Sequence, residues 1–164
     1  MMSSSSKSVP VSFLKNPIHL LAFGFGSGLS PKAPGTFGTI AAIPLGFMLF
    51  QLPLLWVYIF IALAFVAGVY ICDVASKNLG VHDHSGIVWD EFVGYWIVLL
   101  AAPTGWLGVV LAFLLFRLFD IWKPSPISWL DKKVHGGFGI MLDDVAAAIY
   151  AVLVLLLVRH FVGF

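Results

Sequence analysis

From Phe37 to Cys72 the chain is almost continuously apolar, broken at Gln51, just before Leu52-Pro53. Drawn out as a single helix at about 1.5 Å per residue, such a run far exceeds the roughly 30 Å hydrocarbon core of a bilayer. It has to fold back, and Gln51-Leu52-Pro53 is the natural break. This predicts one helix over about residues 36–50, tilted or incomplete because it contains Pro44 and Gly46, and a second over about 54–73.

The remainder extends the pattern. Apolar runs at Ile87–Ala102, Trp106–Trp122 and Met141–Phe161 alternate with polar or Pro/Gly breaks at Val74–Ser85, Pro103-Thr104-Gly105 and Lys123–Gly139. Overall 60% of residues are hydrophobic and only 10% charged, where soluble domains carry roughly 25% charge. The expected fold is all-α: a polytopic integral membrane helical bundle with about five membrane helices. The third and fourth are short enough that a pair of half-spanning helices also fits. Residues 11–25 mix apolar side chains with Lys15, Asn16, Pro17 and His19, as in an interfacial or re-entrant segment. The Ser-rich residues 1–12 read as a mobile polar tail, and residues 13–164 as a single membrane-embedded domain. The short run Ile18–Phe25 lacks an A-x-A-like site, which argues against a removable signal peptide. A net charge of +1 with no long basic tract excludes nucleic acid as an expected partner. Cys72 stands alone, which excludes an intrachain disulfide and a Cys-based metal site. The six tryptophans are expected mostly at interfaces.

On the five-helix scheme Lys7, Lys15, Lys32, Lys77, Lys123, Lys132 and Lys133 share one side, and only Arg159 lies opposite. The positive-inside rule makes the lysine side cytoplasmic. The acidic clusters and His19, His82, His84 and His135 fall on that side too. Ionisable groups so close to hydrocarbon call for a partner.

Four polar clusters converge there. The stretch His82–Gly94, HDHSGIVWDEFVG, holds His82, Asp83, His84, Asp90 and Glu91. Crowded carboxylates in a partly dry place repel unless a cation joins them, and oxygen ligands select hard ions such as Mg²⁺. Dipole-favoured charges at a helix start are the plainer reading of Asp90 and Glu91. Arg117, Asp120 and Lys123 share a helix face at i, i+3, i+6: either a snorkelling ion-pair string or an Asp ligand flanked by phosphate-neutralising cations. His135-Gly136-Gly137-Phe138-Gly139 reads as a flexible loop with one imidazole. Asp143 and Asp144 open the last helix, as caps or as partners of Asp90 and Glu91 in a shared metal site. Upstream, Gly24–Thr39 has loop chemistry, and its exposed N–H groups leading into a helix suit an anion, with Ser27, Gly28 and Thr36 as candidate contacts. It is neither a Walker A loop nor G-x-G-x-x-G. Metal, cations, N–H groups and His together suit hydrolysis of a lipid phosphate. A small ion or proton transporter is the competing class, weakened by the scarcity of polar groups in the outer halves of the first four helices.

The four blocks GFGSGLSPKAPGTFGT, GVHDHSGIVWDEFVG, FRLFDIWKPSPI and VHGGFGIMLDDVAA occur in this order and resemble those of the phosphatidylglycerophosphatase A family, from about Asn16 onward. The resemblance implies a bacterial inner-membrane, multi-pass, Mg²⁺-dependent lipid phosphatase, converting phosphatidylglycerophosphate from the cytoplasmic leaflet to phosphatidylglycerol and phosphate. The residue roles rest on the chemistry above: Asp83, Asp90, Glu91, Asp120, Asp143 and Asp144 as metal ligands; Arg117, Lys123 and the Gly24–Gly38 loop on phosphate; His82, His84 or His135 as general acid. Asp90 and Glu91 also count as catalytic. Direct attack by water and a phospho-Asp or phospho-His intermediate are both compatible with these residues.

Overall fold

A computed structural model describes residues 9–162, so residues 1–8 of the expected mobile tail lie outside the described residues. The described chain is helical throughout. Short 3₁₀ segments at Val11–Lys15 and Gly24–Leu29 flank α1 (Pro17–Ala22). Then come α2 (Pro34–Leu49), α3 (Leu54–Leu79), α4 (Trp89–Ala101), α5 (Trp106–Trp122), α6 (Ile127–Lys133) and α7 (Gly136–Val162).

The apolar runs form helices close to where their breaks predict, and Pro44 does not end α2. Two polar stretches expected to be loops are helical instead. α3 continues past Asp73 to Leu79, because Asp73 and Lys77 pair one turn apart at 2.6 Å. Gly80, at φ +67°, then ends it in the left-handed conformation. The polar link Lys123–Gly139 contains α6, and its glycine run begins α7. Those glycines serve packing, not flexibility: a Cβ on Gly137 would lie 1.8 Å from the Val69 carbonyl oxygen. Only a bare Cα lets α7 approach α3 so closely.

The core is built around α4, whose residues from Trp89 to Trp96 are all buried. It packs against α7 and α2, with α3 and α5 alongside. Trp89 and Trp96 are not interfacial, as the composition suggested. Their indole N–H groups donate to the carbonyls of Ala64 (3.1 Å) and Ala42 (3.0 Å), pinning α4 to α3 and α2. A buried indole keeps such a partner because an orphaned donor is strongly unfavourable. Trp56, Trp106, Trp122 and Trp129 are exposed.

Among the described residues two helices are long and apolar enough to cross a membrane: Leu54–Leu79 and Gly136–Val162, of 26 and 27 residues. Of the five expected spans, these two meet that length and composition among the described residues. α2, α4 and α5 have 16, 13 and 17 residues, so at 1.5 Å per residue they reach only about 24, 20 and 26 Å. They run alongside α3 and α7 without matching their length. Leu55, Leu63, Val66, Leu153 and Leu157 remain exposed on the two long helices, an outer surface fit for lipid.

Candidate active site

Asp90 and Glu91 lie in the first turn of α4, where the helix dipole favours negative charge. That explains their tolerance but not their surroundings. Asp144 comes from α7 and meets them: the three carboxylates offer oxygens within 4.8 Å of one another, and all three residues are buried. Because α7 opens at Gly136, Asp143 and Asp144 sit about two turns inside it, which removes the capping explanation.

These three residues open into a cavity of about 240 Å³, which Asp83, Asp120 and Asp143 also line. Six of the chain's eight acidic residues therefore face one space, shared with just two cations, Arg117 and Lys123. Arg117 pairs with Asp120 one turn along α5 and reaches Glu91 at 3.5 Å. Lys123 holds Asp143 at 2.5 Å and Asp131 at 3.1 Å. Asp90 Oδ1, Glu91 Oε2 and Asp144 Oδ2 are buried with no hydrogen-bond partner. Orphaned carboxylate oxygens facing one another are the donor set of a hard cation. The residues present fit a divalent metal at this point.

Two groups outside the long helices show how the charges are held. Burial penalises the charge on Lys123, but Asp143 and Asp131 outweigh it and push its pKa above the ordinary lysine value. Asp83 sits in the loop before α4, and its backbone has φ +51°. The residue is exposed overall, yet desolvation of its carboxyl over the cavity, ahead of the favourable effect of Lys123, raises its pKa.

The opening of α2 completes the cavity wall through Ala33, Pro34 and Gly35. Pro34 has no N–H, so the backbone donors that this first turn leaves without acceptors in the helix are those of its other residues, such as Gly35, at the positive end of the helix dipole. Thr36 belongs to that turn but does not line the cavity.

The remaining candidates lie elsewhere. Ser27 donates its hydroxyl to the Gly24 carbonyl at 2.8 Å. A Cβ on Gly28 would meet the Gly86 carbonyl oxygen at 2.0 Å, so this glycine lets two loops touch. Gly28 and His84 line a neighbouring cavity of about 270 Å³, which shares Pro34 and Ser85 with the carboxylate cavity. There His84 Nδ1 accepts from the Gly86 N–H at 3.0 Å, which leaves a proton on Nε2, a buried atom without a partner. His82 and His135 face each other with ring centroids 5.2 Å apart. His82 Nε2 accepts from the Gly136 N–H, and neither ring lines the carboxylate cavity. Asp131 went unnoticed in the sequence. The lone signal it offered was its spacing in a polar link with Lys132 and Lys133, which looked like a solvated surface.

The family model for "Phosphatidylglycerophosphatase A" matches residues 20–159. An Escherichia coli (strain K12) protein of that name is 50% identical over 148 residues, covering 90% of this chain and 86% of the relative. A Haemophilus influenzae protein of the same name is 54% identical over 149 residues, covering 90% and 91%. No solved structure matches the chain. All four sequence blocks fall within the matched region, and each contributes residues to the carboxylate cavity. The chain belongs to the phosphatidylglycerophosphatase A family.

Proposed function

We propose that this protein hydrolyses the terminal phosphomonoester of phosphatidylglycerophosphate, using Mg²⁺ held by Asp90, Glu91 and Asp144. The observation that carries the reading is the set of three buried, unpartnered carboxylate oxygens beside Arg117 and Lys123. Asp83, Asp120 and Asp143 line the same cavity and would orient that ion or serve a second. Bound there, Mg²⁺ supplies charge neutralisation and Lewis acidity toward the phosphate.

The chain's own residues do the rest. Arg117, Lys123 and the open N–H groups of α2 bind phosphate oxygens, whose charge grows toward the transition state. Breaking the bond between phosphorus and the glycerol oxygen releases an alkoxide that needs a proton. His84 is the favoured donor of the three histidines: the Gly86 N–H occupies its Nδ1, so its Nε2–H is the end that serves the leaving oxygen in a cavity adjoining the carboxylates. The proton it passes on is replaced by the one the attacking water loses. His82 and His135 are occupied with each other and with the start of α7. Water supplies the oxygen that replaces the glycerol oxygen on phosphorus.

The lysine asymmetry supports a multi-pass protein of the bacterial inner membrane with this site toward the cytoplasm. The transporter reading gains no support: a cavity at the far ends of α2 and α4 is lined by residues such as Ile43, Phe47 and Leu99, with no carboxylate among them. The test is Mg²⁺-dependent release of phosphate from phosphatidylglycerophosphate by the purified protein, repeated with Asp90→Asn and Asp144→Asn. Loss of activity in both variants and with chelator is expected. Activity indifferent to chelator and to both substitutions overturns the metal site, and absence of phosphate release from the lipid overturns the substrate.

A further inference from the structure

The carboxylate cavity and its neighbour of about 270 Å³ lie between the same two stretches of chain, residues 30–35 and 83–87. In the first stretch Ala33 and Gly35 line the carboxylate cavity, while Ser30 and Pro31 line the neighbour. In the second, Asp83 and Ile87 line the carboxylate cavity, while His84 and Gly86 line the neighbour. Pro34 and Ser85 line both. Ser85 is exposed and Pro34 half-buried. The two cavities therefore meet over a rim at the surface, not across a buried wall.

Their chemistry differs. Six carboxylates and two cations line the first. No Asp, Glu, Lys or Arg lines the second, which is bounded by apolar Phe23, Leu29 and Pro31 and by polar Ser30, His84 and Ser85. Ser30 already donates its hydroxyl to the Lys32 carbonyl at 2.9 Å, so toward a ligand it accepts. His84 Nε2 is buried and has no partner among the described residues. A buried donor of this kind calls for an acceptor.

The lipid of the proposed reaction has segments in matching order. Its terminal phosphate is esterified to a glycerol that is uncharged and carries one free hydroxyl. The phosphodiester and the acyl chains come only beyond that glycerol. With the phosphate at Arg117 and Lys123, the next segment is a small polyol, and the adjoining cavity is small, uncharged and edged with hydroxyls. At about 270 Å³ it falls below the roughly 300–1,000 Å³ of a cleft for a drug-sized ligand, which rules out the diacylated end. The phosphodiester is kept out by charge, because burying an anion without a counter-ion is strongly unfavourable.

We infer that this cavity is the leaving-group site, holding the glycerol between the two phosphates of the lipid. The inference rests on the lipid-phosphatase reading and adds to it which part of the substrate sits where and what selects it. Ser30 and Ser85 bind the free hydroxyl, and His84 Nε2–H meets the ester oxygen. As the oxygen of water bonds to phosphorus, the bond from phosphorus to the ester oxygen breaks. The Nε2 proton completes the new glycerol hydroxyl, and the proton lost by water restores Nε2.

The test pairs a protein lacking both serine hydroxyls, Ser30→Ala/Ser85→Ala, with a lipid lacking the glycerol one, in which propane-1,3-diol replaces the phosphate-bearing glycerol. The kcat/KM is measured for the unsubstituted protein and the double variant on each lipid. On phosphatidylglycerophosphate the variant is expected to lose about fivefold or more, the worth of one hydrogen bond. The unsubstituted protein is expected to lose a similar factor on the diol lipid, where the two proteins should agree within about twofold, since groups that act on each other are not additive. A loss of the same size on both lipids marks a merely structural effect of the serines and overturns the site. So does equal activity of the unsubstituted protein on the two lipids, a comparison that needs no variant to fold. If the unsubstituted protein releases phosphate from neither lipid, the lipid-phosphatase reading falls and the glycerol site with it, whereas equal hydrolysis of both removes the glycerol site alone.

Discussion

Gly35→Ala separates the fold from the site. Gly35 is buried in the first turn of α2. A Cβ there would lie 2.3 Å from Glu91 Oε1 and 3.0 Å from both terminal nitrogens of Arg117. Ordinary contact begins about 1 Å further out, so Glu91 must swing by roughly that amount. Both neighbours are the ends of flexible side chains, so the backbone stays where it is. Alanine also favours helix over glycine, by up to about 1 kcal/mol. Stability should therefore change little, with the gain in propensity offsetting the displaced ion pair. Activity should not be spared: a misplacement of about 1 Å at reacting groups lowers rates by about 10²-fold. The assay is kcat for phosphatidylglycerophosphate at saturating Mg²⁺, beside the thermal midpoint of the same preparation. A kcat within twofold of the unsubstituted protein refutes the claim that Glu91 is held in a working position by the bare Gly35. A loss of activity that tracks a fall in midpoint refutes the separation of fold from site.

Three further outcomes follow from the same geometry. In chelator, Asp144→Asn should raise the thermal midpoint by roughly 2–4 °C for each kcal/mol of repulsion relieved, because an unpaired buried charge is removed. With Mg²⁺ the same variant should lose that advantage along with its activity. His84→Gln should lower kcat by about 10²-fold or more, in the usual range for a general acid, while His82→Gln and His135→Gln should stay within a few-fold. The carboxyl of Asp83 has a raised pKa through desolvation, so the native protein keeps a proton that the unfolded chain has released above about pH 3.9. Metal-free stability should accordingly fall as pH rises from there through the raised value. Asp83→Asn should flatten that slope in a chelator-containing thermal scan across acidic pH.

The apolar runs were legible because hydropathy is summed over many residues and any one exception matters little. The Gln51-Leu52-Pro53 and Pro103-Thr104-Gly105 breaks fell where the chain turns. The carboxylates were legible as a group, since Asp90, Glu91 and Asp144 have no reason to stand in so apolar a chain without converging. Their division of labour was not legible. That Asp143 and Asp144 reach the cavity from the body of a helix depends on α7 starting at Gly136, and a glycine run reads as loop until its contact with Val69 is seen. Trp89 and Trp96 were misplaced for a similar reason: interfacial and buried indoles differ in what lies opposite, here the Ala64 and Ala42 carbonyls. Local sequence carries no trace of either partner. Asp131 hid in a lysine-rich link because its meaning lies wholly in Lys123, eight residues back.

Arg117 is shared between Glu91 and Asp120, and Lys123 between Asp143 and Asp131. Neither cation is idle, so an arriving phosphate competes with carboxylates for them. Asp90 and Asp144 have no cation at all among the described residues. A divalent metal changes both sides of this balance, because it draws the carboxylates inward and loosens their hold on Arg117 and Lys123. Phosphate in turn offsets the charge that the metal brings. Each ligand should therefore bind more tightly with the other present, and by linkage the factor is the same in both directions. Coupling of at least about fivefold is expected, the lower end of ordinary coupling between sites. Inorganic phosphate is a sufficient probe: its dissociation constant is measured by calorimetry at several Mg²⁺ concentrations, and that of Mg²⁺ at several phosphate concentrations. Asp131→Asn, which leaves Lys123 paired with Asp143 alone, should tighten phosphate in the absence of Mg²⁺ and so shrink the coupling. Independent binding of the two ligands, or a coupling unmoved by Asp131→Asn, contradicts the view that carboxylates and phosphate compete for the same two cations.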